Sequence, residues 1–188
     1  ITVAISLYAS ENLELKHQLM FNPYQVIQHN KVYKTITHAF IHADFMHLGI
    51  NMYVLYSFGQ ILEQIFIGKF GDMGLIYFIL LYVGGIIFAT VPSIIKHKNN
   101  PGYNSLGASG AVSAVLFSFI ILNPGAQLGL LGIIPINAGL FAILFVIYET
   151  VMNKRGRSNI AHDAHLLGAS FEIIFTILIS PSFVITNF

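Results

Sequence analysis

Long apolar segments constrain the fold of this chain more than any other feature of its sequence. A helix needs about 20 apolar residues to cross the hydrocarbon core of a bilayer. By that criterion the chain has five candidate spans, at residues 47–67, 74–95, 109–123, 127–150 and 161–180. Residues 1–10 match the end of another span. We therefore predict an all-α, polytopic membrane protein with six transmembrane helices in one domain, residues 1–188, whose first span is truncated at its N-terminus.

Composition agrees with a membrane protein and excludes several other classes. Only 9% of the residues are charged, whereas an ordinary soluble domain has roughly 25%. The net charge of +1 argues against electrostatic binding of nucleic acid. The chain has no cysteine, which excludes disulfides, thiolate metal sites and a cysteine nucleophile. The longest polar connection, residues 11–46, also contains Phe and Tyr and is expected to lie partly in the membrane interface.

Ser109 is the first candidate for chemistry. It lies in the sequence Gly-Ala-Ser-Gly, residues 107–110, where the predicted span 109–123 begins. That span is short for a full crossing. A helix that begins below the membrane surface is tolerated when its irregular entry, here residues 104–108, lines protein or a water-filled cavity. We therefore expect an accessible hydroxyl group at bilayer depth.

A base and two hydrogen-bond donors accompany this hydroxyl group. His165 lies in the last apolar segment, and an imidazole can take the proton that makes serine a nucleophile. His47 and Asn51 are four residues apart, so on a helix they share one face. Two neutral donors that face a developing oxyanion can contribute about 3–4 kcal/mol each. The alternative is that they bond to neighbouring membrane helices, at about 0.6 kcal/mol each.

Three motifs, in this order, make the chain resemble the rhomboid intramembrane serine proteases, in particular the bacterial, six-span type. They are His38-Ala39-Phe40-x-His42-x4-His47-x3-Asn51, Gly107-x-Ser109-Gly110, and Ala164-His165 in the last span, with Glu63 and Gly68 also matching at the end of the second span. GxSG alone is weak evidence. The order of all three among membrane spans is specific and extends over nearly the whole chain.

The resemblance implies a serine endopeptidase that cleaves transmembrane segments of single-pass membrane proteins in the lipid bilayer. Ser109 would be the nucleophile and His165 the general base. The oxyanion hole would be formed by His47, Asn51 and the Ser109 N–H. Gly107 and His42 are assigned to the same substrate-binding region, with His42 lining a polar cavity for water. His38 and His42 also resemble histidines that support the first loop. No metal, no other cofactor and no nucleic-acid partner is implied.

The usual third member of a serine protease site is an acid that orients the histidine. Asp163 lies two residues before His165, which places it about 200° away around a helix. Glu172 shares the face of His165 but lies about 10.5 Å along the axis. Because neither carboxylate can reach the imidazole, we predict a Ser-His dyad. Asp163 is expected at a helix cap or the interface, and Glu172 is expected to be protonated or bonded to another helix.

Small residues indicate how the two catalytic helices could approach each other. One helix offers Gly110, Ala111 and Ala114, and the other offers Ala161, Gly168 and Ala169. Small residues allow close backbone contact between membrane helices. Ala161, His165 and Ala169 form one stripe at four-residue steps, which we expect to lie against the Ser109 helix. A gate through the fifth span is also a hypothesis, because Gly129, Gly132, Pro135 and Gly139 would weaken its helix.

Two positions depart from the family pattern. Many bacterial members have an aromatic residue four positions after the nucleophile, against which the catalytic imidazole rests. This chain has Ser113 there, so the ring of His165 must be held in another way. Many also have Trp-Arg just before the first histidine-rich motif, where this chain has Tyr33-Lys34, and we expect this change to alter how the first loop anchors in the headgroups.

The orientation in the membrane is open between two predictions. Family resemblance implies a bacterial inner membrane, with the active site opening to the extracytoplasmic side. Counting Lys and Arg gives three, two and three in the first, third and fifth loops, but only Lys69 in the second and none in the fourth. The positive-inside rule would place the richer loops in the cytoplasm. We follow the family orientation.

Other functional classes fit parts of the sequence. A catalytically inactive rhomboid-like binding protein should lack Ser109 or His165, and this chain has both. A transporter could use Glu63, Glu172 and His165 as a proton relay, and the eight histidines could bind metal through His38 and His42 together with His162 and His165. An intramembrane zinc protease would need His-Glu-x-x-His, which the sequence does not contain.

Overall fold

The apolar segments form helices, most of them with the predicted bounds, and one segment contains a β-hairpin. The computed structural model describes residues 1–130, 134–155 and 162–181. A 3₁₀ turn, His38–Phe40, follows the fourth helix. The described elements are α1 (Thr2–Glu11), α2 (Leu13–Leu19), α3 (Pro23–His29), α4 (Lys34–Thr37), α5 (Phe45–Phe70), α6 (Met73–His97), α7 (Ser109–Leu122), β1 (Gln127–Leu130), β2 (Ile134–Asn137), α8 (Ala138–Arg155) and α9 (His162–Ile179).

Helix α7 lies at the centre of the bundle. It contacts α5, α6, α8 and α9, and almost every one of its residues is buried. A helix that is apolar on all sides is stable only when it is surrounded, either by protein or by lipid. The short helix predicted at Ser109 is therefore confirmed, and it is enclosed by longer helices rather than exposed.

Two helices among the described residues, α6 and α9, are long and apolar enough to cross a membrane, and α7 is a shorter apolar helix. Large apolar side chains project outward from α6 and α8 instead of packing inside. Such surfaces suit lipid and are rare on soluble monomers. The exposed side chains include Leu75, Ile76, Ile79, Leu80, Leu140, Ile143, Leu144 and Ile147. A mostly helical membrane fold is supported, and the count of six spans stays a prediction.

The predicted fifth span is wrong at its beginning. Strands β1 (Gln127–Leu130) and β2 (Ile134–Asn137) pair in antiparallel fashion, with Gly129 opposite Pro135, and the helix begins at Ala138. Proline has no N–H for the ladder and would interrupt a helix, but it is tolerated on a two-stranded edge. Asn137 then caps α8 by accepting a hydrogen bond from the N–H of Leu140 at 3.1 Å. Apolar content alone did not distinguish this hairpin from a helix.

The hypothesis of a gate through the fifth span is therefore not supported, because it depended on these residues lying in a helix. Gly129 and Pro135 lie in strands, and Gly139 lies in the first turn of α8, so these residues do not weaken a helix in mid-membrane. Gly132 lies outside the described residues.

The first loop is a set of short helices anchored by a buried cation. Lys34 is only 2% exposed, and its Nζ donates to the carbonyl groups of His17 (2.9 Å) and Met20 (3.1 Å) at the end of α2. A cation is favourable at a helix C-terminus, where carbonyl groups lack helical partners. Lys34 therefore anchors the first loop to itself, and the expected change in how Tyr33-Lys34 anchors the loop in the headgroups stays a prediction.

Small residues bring α7, α9 and α6 into close contact, as predicted in part. A Cβ added to Gly168 would lie 2.8 Å from the carbonyl oxygen of Gly110, so the two backbones touch. On its other side, Gly110 faces Ala89 of α6. A Cβ added to Gly110 would lie 2.3 Å from the Cβ of Ala89. The prediction is confirmed for Gly110 and Gly168, whereas Ala89 was missed. Ala169 is buried, and Ala161 lies outside the described residues.

A second contact between α7 and α9 is polar. Ser118 Oγ of α7 lies 2.5 Å from Thr176 Oγ1 of α9. The same hydroxyl group of Thr176 donates to Glu172 Oε1 at 3.4 Å. Glu172 is fully buried. Glu172 is therefore linked to α7 through Thr176, which lies on its own helix, and the expectation that it is protonated or bonded directly to another helix stays a prediction.

Candidate active site

Ser109 is presented by a loop that two other segments hold in place. Gly107 has a φ of +116°, a conformation that residues with a side chain rarely adopt, and its N–H donates to the carbonyl group of His38 at 2.9 Å. Upstream, Phe21 and Ser105 exchange two backbone hydrogen bonds of 2.9 and 3.0 Å. The first loop thus supports the turn from which α7 and Ser109 begin.

The predicted nucleophile and base are in contact. His165 Nε2 lies 2.8 Å from Ser109 Oγ, although the two residues are 56 positions apart in the chain. Both side chains are half-buried. This distance is that of a strong hydrogen bond. The close approach of Gly110 and Gly168 explains it, because these glycines lie beside Ser109 on α7 and near His165 on α9.

A carboxylate that the sequence analysis did not consider binds the other side of the imidazole. His165 Nδ1 donates to Glu149 Oε1 at 3.1 Å. Asp163, as predicted, does not reach the ring and instead pairs with Lys96 of α6. The acid was sought only on the helix of His165, whereas Glu149 lies on the neighbouring α8. The signal that could have found it is an ionisable residue inside an apolar span, which is costly unless it is paired.

A second histidine binds the same carboxylate. His162 Nδ1 donates to Glu149 Oε2 at 2.6 Å, and both side chains are buried. The ligand atoms of Glu149, His162 and His165 all lie within 4.8 Å of one another, so among the described residues this group could hold a metal ion. The metal site considered from the sequence paired His162 and His165 with His38 and His42, and the structure instead places Glu149 beside them.

The two side chains predicted to donate to the oxyanion, His47 and Asn51, line the same cavity as Ser109. The ring of His47 packs on Gly107, where an added Cβ would be 2.6 Å from His47 Cε1. Gly107 therefore provides the space that lets the ring approach the serine. Asn51 is buried, and its amide donates at 2.8 Å to the carbonyl group of His47, one turn back on α5. The ring of His47 thus lies against the turn that precedes Ser109, whereas one donor of Asn51 is used within its own helix.

A cavity of about 1100 Å³ opens onto these residues. Its walls include the loop 104–108, as predicted, together with side chains from α5, α7, α8, α9 and the hairpin. The lining residues with chemical groups of interest are His47, Asn51, Ser109, Glu149 and His165. A cavity of this size can admit water and a peptide segment.

His42 lies behind the loop and is absent from the cavity wall. It is 3% exposed, its Nε2 accepts from the N–H of Ala108 at 3.5 Å, and its Nδ1 contacts Ser6 Oγ at 3.2 Å. His38 is buried as well and donates from Nδ1 to the carbonyl group of Lys34 at 3.0 Å. Both histidines contact the loop that they were expected to support. The prediction that His42 lines the cavity is wrong.

Acidification is expected to destabilise this loop. Burial lowers the pKa of His38 and the pKa of His42 from 6.5 to about 4. Between pH 4 and 6.5 the unfolded chain therefore binds protons that the folded loop does not, and stability falls as the pH falls through this window. We expect the melting temperature in detergent to drop between pH 7 and pH 5. The drop should be smaller in the double variant His38→Gln/His42→Gln, and equal drops would contradict the assignment.

Comparison with known proteins agrees with this geometry. A family model described as the rhomboid domain matches residues 29–182. RHOMBOID-like protein 12, mitochondrial, of Arabidopsis thaliana is 31% identical over 84% of this chain and 50% of its own length. Presenilin-associated rhomboid-like protein A, mitochondrial, of Danio rerio is 32% identical over 72% of this chain and 34% of its own length. Rhomboid protein 1, mitochondrial, of Saccharomyces cerevisiae is 30% identical over 77% of this chain and 41% of its own length.

These relatives correct one expectation and support another. They are eukaryotic and mitochondrial, so the assignment to the bacterial type and to a bacterial membrane is not supported. The chain spans half or less of the length of each of these relatives. The domain match, together with the apolar helices α6 and α9, supports an integral membrane protein. Because the match covers most of the sequence and includes Ser109 and His165, this chain belongs to the rhomboid family.

Proposed function

We propose that the protein is an intramembrane serine endopeptidase. The observation that carries this proposal is the 2.8 Å contact between Ser109 Oγ and His165 Nε2 at the wall of a large cavity. A serine in hydrogen-bonding contact with an imidazole has a base for its proton. A purely structural pair would have no need of a cavity at that point.

The geometry supplies the steps of acyl transfer. Ser109 Oγ attacks the scissile carbonyl carbon while its proton passes to His165 Nε2, and the imidazole then gives that proton to the leaving amine. The negative charge develops on the carbonyl oxygen. Ser109 is the first residue of α7, so its N–H has no partner within the helix and can donate to that oxygen. His47, packed on Gly107, is the second donor, and Asn51 can join when its amide leaves the His47 carbonyl group.

The proposed substrates are single-pass membrane proteins cut within or near their transmembrane segment. The cavity is lined largely by apolar side chains and includes the β-hairpin. A helical substrate keeps its carbonyl groups in internal hydrogen bonds, so its backbone must unwind before it reaches Ser109. Glycine and other helix-destabilising residues near the scissile bond should therefore favour cleavage. The proposal includes the family orientation, in which the cavity opens to the extracytoplasmic side.

Two alternatives make different predictions. An inactive rhomboid-like binding protein has no need of the Ser109–His165 contact, and it would not react with a serine-directed reagent. A metal-dependent protein would use the cluster of Glu149, His162 and His165, whose ligand atoms lie within 4.8 Å. Such a protein would lose its activity on treatment with a chelator.

Covalent labelling distinguishes these possibilities. A fluorophosphonate or isocoumarin probe, applied to the purified protein in detergent, should label the wild type and should not label Ser109→Ala. The matched control is Ser170→Ala, which removes an exposed hydroxyl group of α9 that bonds only to its own helix and should leave labelling unchanged. EDTA or 1,10-phenanthroline should have no effect. Labelling of Ser109→Ala at the wild-type rate, or loss of wild-type labelling with chelator, would contradict the proposal.

A further inference from the structure

We propose that Glu149 is a positioning residue for the catalytic imidazole, and that His162 in turn fixes Glu149. The inference rests on the proposed function, since it assigns the group that holds the base. It adds a residue from a third helix to the predicted catalytic pair of Ser109 and His165.

The first support is the tautomer that the contacts select. His165 donates its Nδ1 proton to Glu149 Oε1 at 3.1 Å, which leaves Nε2 as the acceptor for Ser109 Oγ at 2.8 Å. Only this tautomer can take the serine proton. When the ring becomes an imidazolium ion during catalysis, the adjacent carboxylate also stabilises its positive charge.

The second support is the position of Glu149 on its helix. Its side chain is buried, whereas the three residues before it, Val146, Ile147 and Tyr148, are exposed on the outer surface of α8. An ionisable residue within a membrane helix is costly unless it is paired, and it then faces the interior of the bundle. Glu149 points inward at the one place where two imidazole groups can pair with it.

The third support is the second oxygen of the carboxylate. His162 Nδ1 binds Oε2 at 2.6 Å, so both oxygens accept a hydrogen bond from a ring nitrogen. The rings of His162 and His165 are nearly perpendicular, at 83°, with centroids 6.3 Å apart. One carboxylate thus bridges two rings on successive turns of α9, and rotation of Glu149 away from His165 would break the bond to His162.

The arrangement also answers how the ring of His165 is held. The position four residues after the nucleophile is Ser113, whose small, buried side chain cannot stack on an imidazole. In this chain the hydrogen bond that His165 Nδ1 donates to Glu149 takes the place of an aromatic contact and orients the ring.

The test replaces each of two buried glutamates by glutamine, one at a time. Glu149→Gln keeps the size of the side chain but removes the negative charge, and its amide group can donate to Nδ1 and so favour the wrong tautomer. The corresponding change in a soluble serine protease lowers kcat by about 10⁴. We expect Glu149→Gln to lower kcat by about 10²–10⁴ in proteoliposomes with a tagged single-pass substrate, with KM changed less than twofold. Labelling by the fluorophosphonate probe should slow in parallel.

Glu172→Gln is the matched control. Glu172 is also fully buried, on α9, but it bonds to Thr176 and through it to Ser118, and it does not line the cavity. We expect this variant to keep kcat within about twofold of the wild type, whatever its effect on melting temperature. Glu149→Asp retains the charge at shorter reach and should recover part of the activity that Glu149→Gln loses.

The outcomes separate this inference from the proposed function. Wild-type protein that the probe does not label would overturn the proposed function. Wild-type labelling together with an unchanged kcat in Glu149→Gln would overturn only the assignment of Glu149, as would equal losses in Glu149→Gln and Glu172→Gln. If Glu149→Gln does not accumulate in membranes, His162→Gln provides the second measurement. Loss of one hydrogen bond to the carboxylate should lower kcat about tenfold at unchanged KM, and wild-type kcat would overturn the inference.

Discussion

Replacement of His165 by alanine is expected to lower kcat for cleavage of a single-pass substrate by up to about 10⁶-fold, the loss that a soluble serine protease shows without its base or its nucleophile. Ser109 Oγ would lose the nitrogen that now lies 2.8 Å away, and no other imidazole is in contact with it among the described residues. KM should change little, because the cavity wall contributed by the hairpin, α5 and α8 stays in place.

The double variant makes this expectation more specific. Ser109→Ala alone should remove the same activity, because nucleophile and base act as one unit. Ser109→Ala/His165→Ala should therefore be no slower than either single variant. The measurement is kcat in proteoliposomes at equal amounts of inserted protein. Additive losses in the double variant would show that the two residues act independently, which the observed contact does not allow.

The second large effect is expected from Gly168→Leu, which should lower kcat at least 100-fold while the protein still inserts into membranes. Even the Cβ of the new side chain would lie 2.8 Å from the Gly110 carbonyl oxygen, a separation that real Cβ atoms essentially never show. Helices α7 and α9 must then move apart, and they carry Ser109 and His165. A displacement of 1 Å can cost about 100-fold in rate, because proton transfer requires close contact.

Gly68→Leu is the matched control for this variant. Gly68 lies near the end of α5, and an added Cβ would meet nothing within 4 Å. The same substitution there should leave kcat unchanged. Probe labelling, melting temperature and membrane insertion should be measured for both variants. Wild-type cleavage by Gly168→Leu would show that the close packing at Gly110 does not set the distance between the catalytic groups.

The sequence predicted those features of the site that follow from the type of residue and its order along the chain. Ser109, His165 and His47 lie together as the motifs predicted, and the small residues Gly110 and Gly168 do bring the two catalytic helices into contact. Each of these residues stands in a short motif or at helical spacing that can be recognised along the chain. That the motifs meet in space was implied by the resemblance to rhomboid proteases, since the two catalytic residues are 56 positions apart.

The remaining features depend on which helices are neighbours, and a single sequence does not reveal that. Glu149 is one acidic residue in an apolar segment, and only the packing of α8 against α9 brings it to His165. Lys34 similarly finds its carbonyl partners because the first loop folds back on α2. The strand pair at 127–130 and 134–137 was missed for another reason. Its apolar residues satisfy the hydropathy criterion for a span equally well whether they form strands or a helix.

The central claim is that Ser109 and His165 cleave a peptide bond inside a membrane, and the position of the cut tests it most directly. Purified protein and a tagged single-pass substrate would be reconstituted in the same liposomes, and the products identified by mass spectrometry. The account predicts one principal cut within or beside the transmembrane segment of the substrate, absent with Ser109→Ala. Cleavage only in soluble regions of the substrate, or the same products from Ser109→Ala, would contradict it.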